Sequence, residues 1–303
     1  MKRRMVTCVD TISQKGVKYM EKLFKEKYTT VPTLMNELVR ERRNVNLVFR
    51  GISRNDENKP KLQRVYNQNQ KARDYSKFEF QMLHDFYRLG KPYFTVNYDV
   101  LDYVACAQHY GVPTRLIDWT RDPFVALFFA IYSNSSPNDN SYKIYYTDLS
   151  ENTVINRIYF GKTWDELESG PEFILQYKAF LDMIQNPREF AEHLSFRKAA
   201  VAELRIVEDC EYHENGLLFF DPPMTNDRLI AQQGLFSIPI SIENDDAEKD
   251  LHEKSNSFSI ILDNKGREEM LNYLNNMNYT PTRLFPELES ISRYVISKYE
   301  EDV

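Results

Sequence analysis

Ala107-Gln108-His109-Tyr110-Gly111-Val112-Pro113-Thr114-Arg115-Leu116-Ile117-Asp118-Trp119-Thr120 is the most informative run in the chain. Gly111 and Pro113 force a turn after a helix, which the apolar spacing predicts over 99–109. Polar Gln108, His109, Thr114, Arg115, Asp118 and Thr120 then lie between apolar flanks. Buried polar groups must be paired, so these residues are expected to hydrogen-bond one another. Asp118 with Arg115, or with His109, is the natural pair. Two readings fit: a rigid, self-satisfied turn that fixes two helices, or a ligand pocket lined by the same residues.

Outward from this run, Asp122 reads as the N-cap and Pro123 as the first residue of an apolar, buried helix over 122–133. Upstream, Asn46-Leu47-Val48-Phe49 reads as a short strand running into Arg50-Gly51. Two helices are expected within 14–43. The polar stretch 52–74, with Pro60, reads as a long loop. Phe78, Met82, Phe86 and Leu89 have helical spacing over 75–89, and Gly90-Lys91-Pro92 stops that helix. Downstream, strands are expected at 141–149, 216–221, 235–240 and 257–262. Helices are expected over 163–198 with breaks near Pro171 and Pro187, then at 226–233, 264–277 and 286–299. Residues 241–255 carry six acidic side chains and read as an exposed loop. Strands and helices in irregular order predict an α+β fold: a mixed central sheet with flanking helices. No internal repeat is visible, and no stretch reads as an obligatory linker.

Composition excludes several classes. The chain has 303 residues, 42% of them apolar and 14% aromatic, and its mean hydropathy is −0.58. It can build a large core, so disorder is not expected. No apolar run approaches the roughly 20 residues of a membrane helix. The basic start lacks an apolar signal core, so a cytoplasmic protein is expected, with no membrane partner. Cys8, Cys106 and Cys210 are odd in number and widely spaced, which excludes a disulfide framework and a Cys-x-x-Cys zinc site. The net charge of −6 hides an asymmetry. Residues 1–75 hold 18 Lys and Arg against 8 Asp and Glu, and the rest of the chain is strongly acidic. A basic first quarter fits either a phosphate or nucleic-acid partner, or docking on acidic protein surface.

Standard motifs are absent: no Walker loop, G-x-G-x-x-G, H-E-x-x-H or G-x-S-x-G occurs. The five histidines form no metal-ligand pair, and no metal is expected. Cys106 and His109 share a helical face, a spacing that fits a nucleophile pair, but beside Ala105 and Ala107 the favoured reading is a buried core cysteine.

Phe49-Arg50-Gly51, then residues 107–120, then Asp122 to Ala130 (DPFVALFFA), resemble the FRG domain family, named for the Phe-Arg-Gly triplet. Arg228 to Phe236 (RLIAQQGLF) is similar to that family's R-x-x-x-Q-x-G-x-F segment. Leu284 to Glu289 (LFPELE) is similar to its L-F-P-(D/E)-L-(D/E) segment. The resemblance implies an FRG domain over 45–303, preceded by a basic helical extension over 1–44. It also implies a setting in which defence-associated proteins of bacteria and phages are common.

A strand ending in aromatic-Arg-Gly is similar to the first motif of arginine-type ADP-ribosyltransferases. Asp118-Trp119-Thr120 stands for their second motif and Arg228 to Phe236 for their third, where Gln232 and Gln233 replace the expected glutamate. That second resemblance implies an ADP-ribosyltransferase-like core and NAD as the substrate that donates ADP-ribose. It implies a macromolecular acceptor, with nucleic acid, RNA or DNA, suggested by the basic first quarter, and a role as a toxin or anti-phage effector. The roles that follow put Arg50, His109, Asp118 and Gln232 in catalysis. Arg50, Gly51, Tyr110, Arg115, Trp119 and Thr120 bind the dinucleotide. The guanidinium grips phosphate, Tyr110 or Trp119 stacks on nicotinamide, and Gln232, Asp118 or Glu79 holds ribose hydroxyls. His109 serves as base. An antitoxin or chaperone protein would be the chain's partner, the antitoxin docking on the acidic 241–253 loop or on the basic extension. The alternative is a non-catalytic nucleotide-sensing module that uses the same pocket. A metal-dependent nuclease built on Asp118 and Glu79 ranks last, because no D-x-D spacing supports it.

Overall fold

The computed structural model describes residues 10–11, 46–53, 58–68, 75–94, 100–132, 141–155, 170–186, 213, 215–222, 224, 226–242 and 246–300. Leu47–Ser53 (β2), apolar on both faces, and Ser141–Asp148 (β4) pair antiparallel over seven positions, Leu47 with Asp148 through Ser53 with Tyr142. This pair is the middle of one eight-stranded sheet, in the order β1-β8-β4-β2-β3-β7-β6-β5. The other strands are Asp10–Thr11 (β1), Ile117–Thr120 (β3), Thr153–Ile155 (β5), Leu218–Phe220 (β6), Gly234–Ser237 (β7) and Asn256–Ile261 (β8). Every pairing is antiparallel except β5 with β6. The fold is therefore α+β, with a mixed sheet as expected.

Ten α-helices flank the sheet among the described residues: α1 Lys61–Gln68, α2 Tyr75–Gly90, α3 Val100–His109, α4 Pro123–Tyr132, α5 Gly170–Ile184, α6 Asp227–Gln232, α7 Asp246–Lys254, α8 Asn264–Asn276, α9 Pro281–Leu284 and α10 Leu288–Glu300. Helix α4 is apolar on all sides and buried along most of its length, as its sequence predicts, with only Tyr132 exposed at its end. Asp122 caps it by accepting from the Phe124 N–H (2.9 Å), and its other oxygen accepts from the Tyr279 hydroxyl (2.7 Å). One face of the sheet packs Phe49, Ile144 and Tyr146 against α4 and α8. The other packs Val48, Ile52, Tyr145 and Trp119 against Phe219 and Leu251. Helices α2, α3 and α5 enclose a further core around Tyr103, Tyr177 and Phe180.

Gly51 explains the Phe-Arg-Gly triplet in packing terms. A Cβ built there would lie 1.7 Å from the carbonyl oxygen of Ala126 in α4. Only a residue without a side chain lets helix and strand approach so closely. Gly51→Ala is expected to destabilise the protein by about 2–3 kcal/mol through overpacking, read as a shift in denaturant midpoint. A midpoint equal to that of the unsubstituted protein would show that α4 moves freely away.

Several expectations are corrected. Stretch 52–74 is not all loop: α1 occupies Lys61–Gln68, where the good helix formers Lys61, Leu62, Gln63 and Arg64 follow Pro60 and Leu62 and Gln63 are buried. The acidic loop at 241–255 contains α7, where Ala247 and Leu251, four residues apart, supply the whole buried face. The helix expected across 163–198 is confined, among the described residues, to Gly170–Ile184. Pro171 stands in its first turn rather than at a break. The last helix is found as expected, at Leu288–Glu300, and a short helix at Pro281–Leu284 precedes it that the sequence did not reveal. The helices expected at 14–43 and the break at Pro187 lie outside the described residues. From the N-terminal extension, Asp10 and Thr11 pair with Phe258 and Ser257 at the sheet edge. No helix among the described residues is long and apolar enough to cross a membrane.

Candidate functional site

The site begins where the sheet splits. Strands β2 and β3 share one pairing, Phe49 opposite Thr120. Continued in that register, Arg50, Gly51 and Ile52 would face Trp119, Asp118 and Ile117. Instead β2 continues only with β4, and β3 only with β7. Arg50 spans the parting. Its Nη1 donates to the Asp118 carbonyl oxygen (2.9 Å) and its Nε donates to Oδ1 of buried Asn58 (2.9 Å). A side chain thus meets a carbonyl that the strand ladder leaves exposed.

A cleft of about 440 Å³ opens at this split. It falls within the usual range of small-molecule sites, about 300–1,000 Å³. Arg50, Lys59, Lys61, Arg64 and Arg228 line it, against the carboxylates of Asp102 and Asp118. A second chamber of about 270 Å³ shares Arg50, Arg64, Asp118, Trp119, Arg228 and Gln232 with it and reaches Gly51, Thr120 and Ala126. Five cationic side chains around one cavity favour an anionic ligand.

Asp118 alternates outward on β3 and is exposed between buried neighbours. Its partner is neither Arg115 nor His109, as expected from sequence, but Gln108. The Thr114 hydroxyl donates to Gln108 Oε1, and Gln108 Nε2 donates to Asp118 Oδ1 (2.8 Å). That relay aims the carboxylate. Gly111, at φ +90°, supplies the left-handed turn that folds Thr114 back toward Gln108. Lys61 donates to the Gly111 carbonyl (2.7 Å) and ties α1 to the turn.

His109 ends α3 and lines the cleft, with Tyr110 strongly exposed beside it. Burial, then the nearby Arg228 charge, lowers the His109 pKa below its usual value, while Glu287 pulls it the other way. The imidazole is therefore neutral at pH 7 and able to accept a proton. Gln232 lines both chambers, and its Nε2 donates to the Leu284 carbonyl (2.8 Å). Arg50, His109, Asp118 and Gln232 thus come together around one cavity although they are far apart in sequence.

Other expected ligand contacts are corrected. Arg115 is buried and does not line the cleft. It forms an ion pair with Glu79 (2.6 Å), which also accepts from the Tyr177 hydroxyl (2.9 Å). Glu79 is equally enclosed, so it cannot hold a ribose. The Trp119 ring lies in the core, edge-on to Phe219, with its Nε1 donating to Ser237 Oγ (2.9 Å), so it offers no stacking face. Thr120 lines the second chamber, with its side chain engaged inside the protein. Its hydroxyl donates to the Gln232 carbonyl (2.6 Å) and accepts from the Asp122 N–H, which locks α6 to β3. Gly51 acts through the close approach of α4. Tyr110 keeps an accessible face. Among the described residues no group of three His, Cys, Asp or Glu side chains could hold a metal ion.

Sequence reasoning missed Lys61 and Arg64, which it left in a loop, and assigned no role to Arg228 or Glu287. The charge excess of residues 1–75 was the available signal for the first two. Arg228 lies over the Phe285 ring (4.9 Å), which brings the Leu284–Glu287 segment up to α6.

Comparison with protein families gives one match: the FRG domain, over residues 45–139. That span contains Arg50, the 107–120 turn and the whole of α4. No curated protein and no solved structure matches the chain.

Proposed function

With residues 45–139 matching the FRG domain, we propose that the cleft binds NAD and that the protein transfers ADP-ribose from it to a macromolecular acceptor. The supporting observation is the convergence of Arg50, His109, Asp118 and Gln232 in a cavity ringed by five cationic side chains. NAD carries two phosphate charges, and planar guanidinium groups such as Arg50 and Arg228 pair with phosphate oxygens through parallel hydrogen bonds. Tyr110 offers a ring face for a base at the rim. Cleavage of the nicotinamide–ribose bond develops oxocarbenium character at C1′, as in glycoside hydrolysis. The Asp118 carboxylate, aimed by Gln108, supplies negative charge for that centre. Neutral His109 takes the acceptor's proton. The acceptor proposed is nucleic acid, drawn by the basic first quarter, and the setting proposed is a toxin or anti-phage effector.

A direct check is calorimetric titration with NAD at rising salt. One saturable site is expected, weakening several-fold between low and physiological ionic strength, because opposed charges at the cleft are screened. Heats that do not saturate, or binding indifferent to salt, would contradict a cationic dinucleotide site.

One observation favours a non-catalytic nucleotide-binding module instead. The Gln232 amide stands where a glutamate would be expected and is engaged by the Leu284 carbonyl. That reading requires the same binding with no nicotinamide released.

A further inference from the structure

Glu287 is a carboxylate in an unusual position. Its side chain is one-third exposed, yet both carboxylate oxygens are buried and neither accepts a hydrogen bond among the described residues. Leaving a carboxylate so poorly solvated is costly, and native structures rarely do it without a compensating charge or ligand. Its ion-pair partner is the His109 imidazole, which balances the carboxylate only when protonated and whose Nε2 lies 4.0 Å from Glu287 Oε1. That gap is too wide for a direct hydrogen bond and short enough for a strong charge interaction.

The segment carrying Glu287 is held in place from several sides. Thr280 caps α9 by accepting from the Arg283 N–H, and Leu284 is fully buried. The Leu284 carbonyl accepts from Gln232, and Phe285 is sandwiched between Arg228 and the rings of Phe128 and Phe129. Glu287 then opens α10, with its carbonyl accepting from the Ile291 N–H. His109 lines the cleft and Glu287 does not, so the imidazole stands between the cavity and the carboxylate. The charged groups facing His109 are Glu287 and, from α6, Arg228, with Tyr110 edge-on beside the ring at 4.9 Å.

We infer that Glu287 is a positioning residue that makes His109 the proton acceptor of the cleft, and so supplies the carboxylate that position 232 lacks. The role in the reaction rests on the transferase reading; the pairing itself does not. A carboxylate beside Nε2 favours the tautomer with its proton there and leaves Nδ1 basic. In the transfer step the acceptor's O–H proton passes to Nδ1 as its oxygen lone pair forms the bond to ribose C1′. The C1′–nitrogen bond breaks, and its electron pair leaves on the nicotinamide, neutralising the pyridinium. When the proton arrives, imidazolium and Glu287 carboxylate form an ion pair.

The experiment follows the histidine ring signals by NMR through a pH titration of the full chain without substrate, then measures nicotinamide release from NAD against pH. Glu287→Gln is expected to move the His109 midpoint down by about one pH unit, because an opposite charge at this range favours the protonated form. His252, on α7 beside Glu248 and Lys143, does not pair with Glu287, and so is the internal reference and should not move. Glu287→Asp should restore most of the midpoint. Glu287→Gln should also lower kcat about tenfold with little change in KM and shift the acid limb of the pH profile, whereas Glu287→Asp should recover it. An unmoved His109 midpoint in a folded Glu287→Gln protein overturns the pairing. A moved midpoint in a protein that releases no nicotinamide overturns the base role and the transferase reading, and leaves the pair established.

Discussion

Glu79→Ala is expected to lower the unfolding free energy by about 3–5 kcal/mol, since it strands a buried guanidinium without its counter-charge. Arg115 donates from Nε and Nη2 to the Glu79 carboxylate at 2.6–3.2 Å, and Tyr177 donates to the same carboxylate. All three side chains are buried. Burial alone pulls the Arg115 pKa down, but Glu79 and Tyr177 raise it further, so the charge persists in the interior. The cluster joins α2, α5 and the turn after Pro113, and so clamps the helical core to the segment that leads into β3. Replacing both partners, as Glu79→Leu with Arg115→Met, is expected to recover most of the loss, because a matched apolar pair has nothing left unpaired. Chemical denaturation of the two variants checks this. A Glu79→Ala protein within about 1 kcal/mol of wild type, the range of an exposed ion pair, would show that the cluster is wetter than its burial implies.

The second large effect is at Arg50. Arg50→Ala is expected to weaken NAD binding about 100-fold, because charge-assisted hydrogen bonds contribute about 1.5–3 kcal/mol each. Arg50→Lys keeps the charge but loses the planar fork that reaches Asn58 and the Asp118 carbonyl together. It should fall between the two, about tenfold weaker than wild type. Since Arg50 also bridges the split in the sheet, each variant's unfolding midpoint must be measured beside its binding curve. A folded Arg50→Ala protein that binds NAD within about threefold of wild type would remove Arg50 from the ligand's contacts.

What could be read from sequence follows physical lines. Helix α4 was legible because Asp122-Pro123 and an unbroken apolar run state a cap and a buried helix together. The class of the fold followed from strands and helices in irregular order. Helix α7 was hidden because only Ala247 and Leu251 carry its buried face, too few to rise above its acidic background. Pairing was harder still. Arg115 and Asp118 are three residues apart on one strand-bound segment, yet the chain directs one into the helical core and the other into the cleft. Trp119, next to Asp118, points through the sheet to the opposite face, which a strand's two-residue period allows but a motif does not reveal. The convergence of Arg50 with His109 and Gln232 depends on the parting of β2 from β3, a feature of register with no local sequence signal. Glu287 meets His109 from a segment near the other end of the sequence, which no local pattern reveals.

The most direct test incubates the purified full chain with NAD and a mixture of RNA, DNA and protein acceptors, with the Arg50→Ala protein in parallel. Nicotinamide release and the mass of each acceptor class are followed together. The account predicts stoichiometric nicotinamide release and one added ADP-ribose on a nucleic-acid acceptor, both lost with Arg50→Ala. Saturable NAD binding with neither nicotinamide nor a modified acceptor would contradict it and make the cleft a nucleotide-binding module.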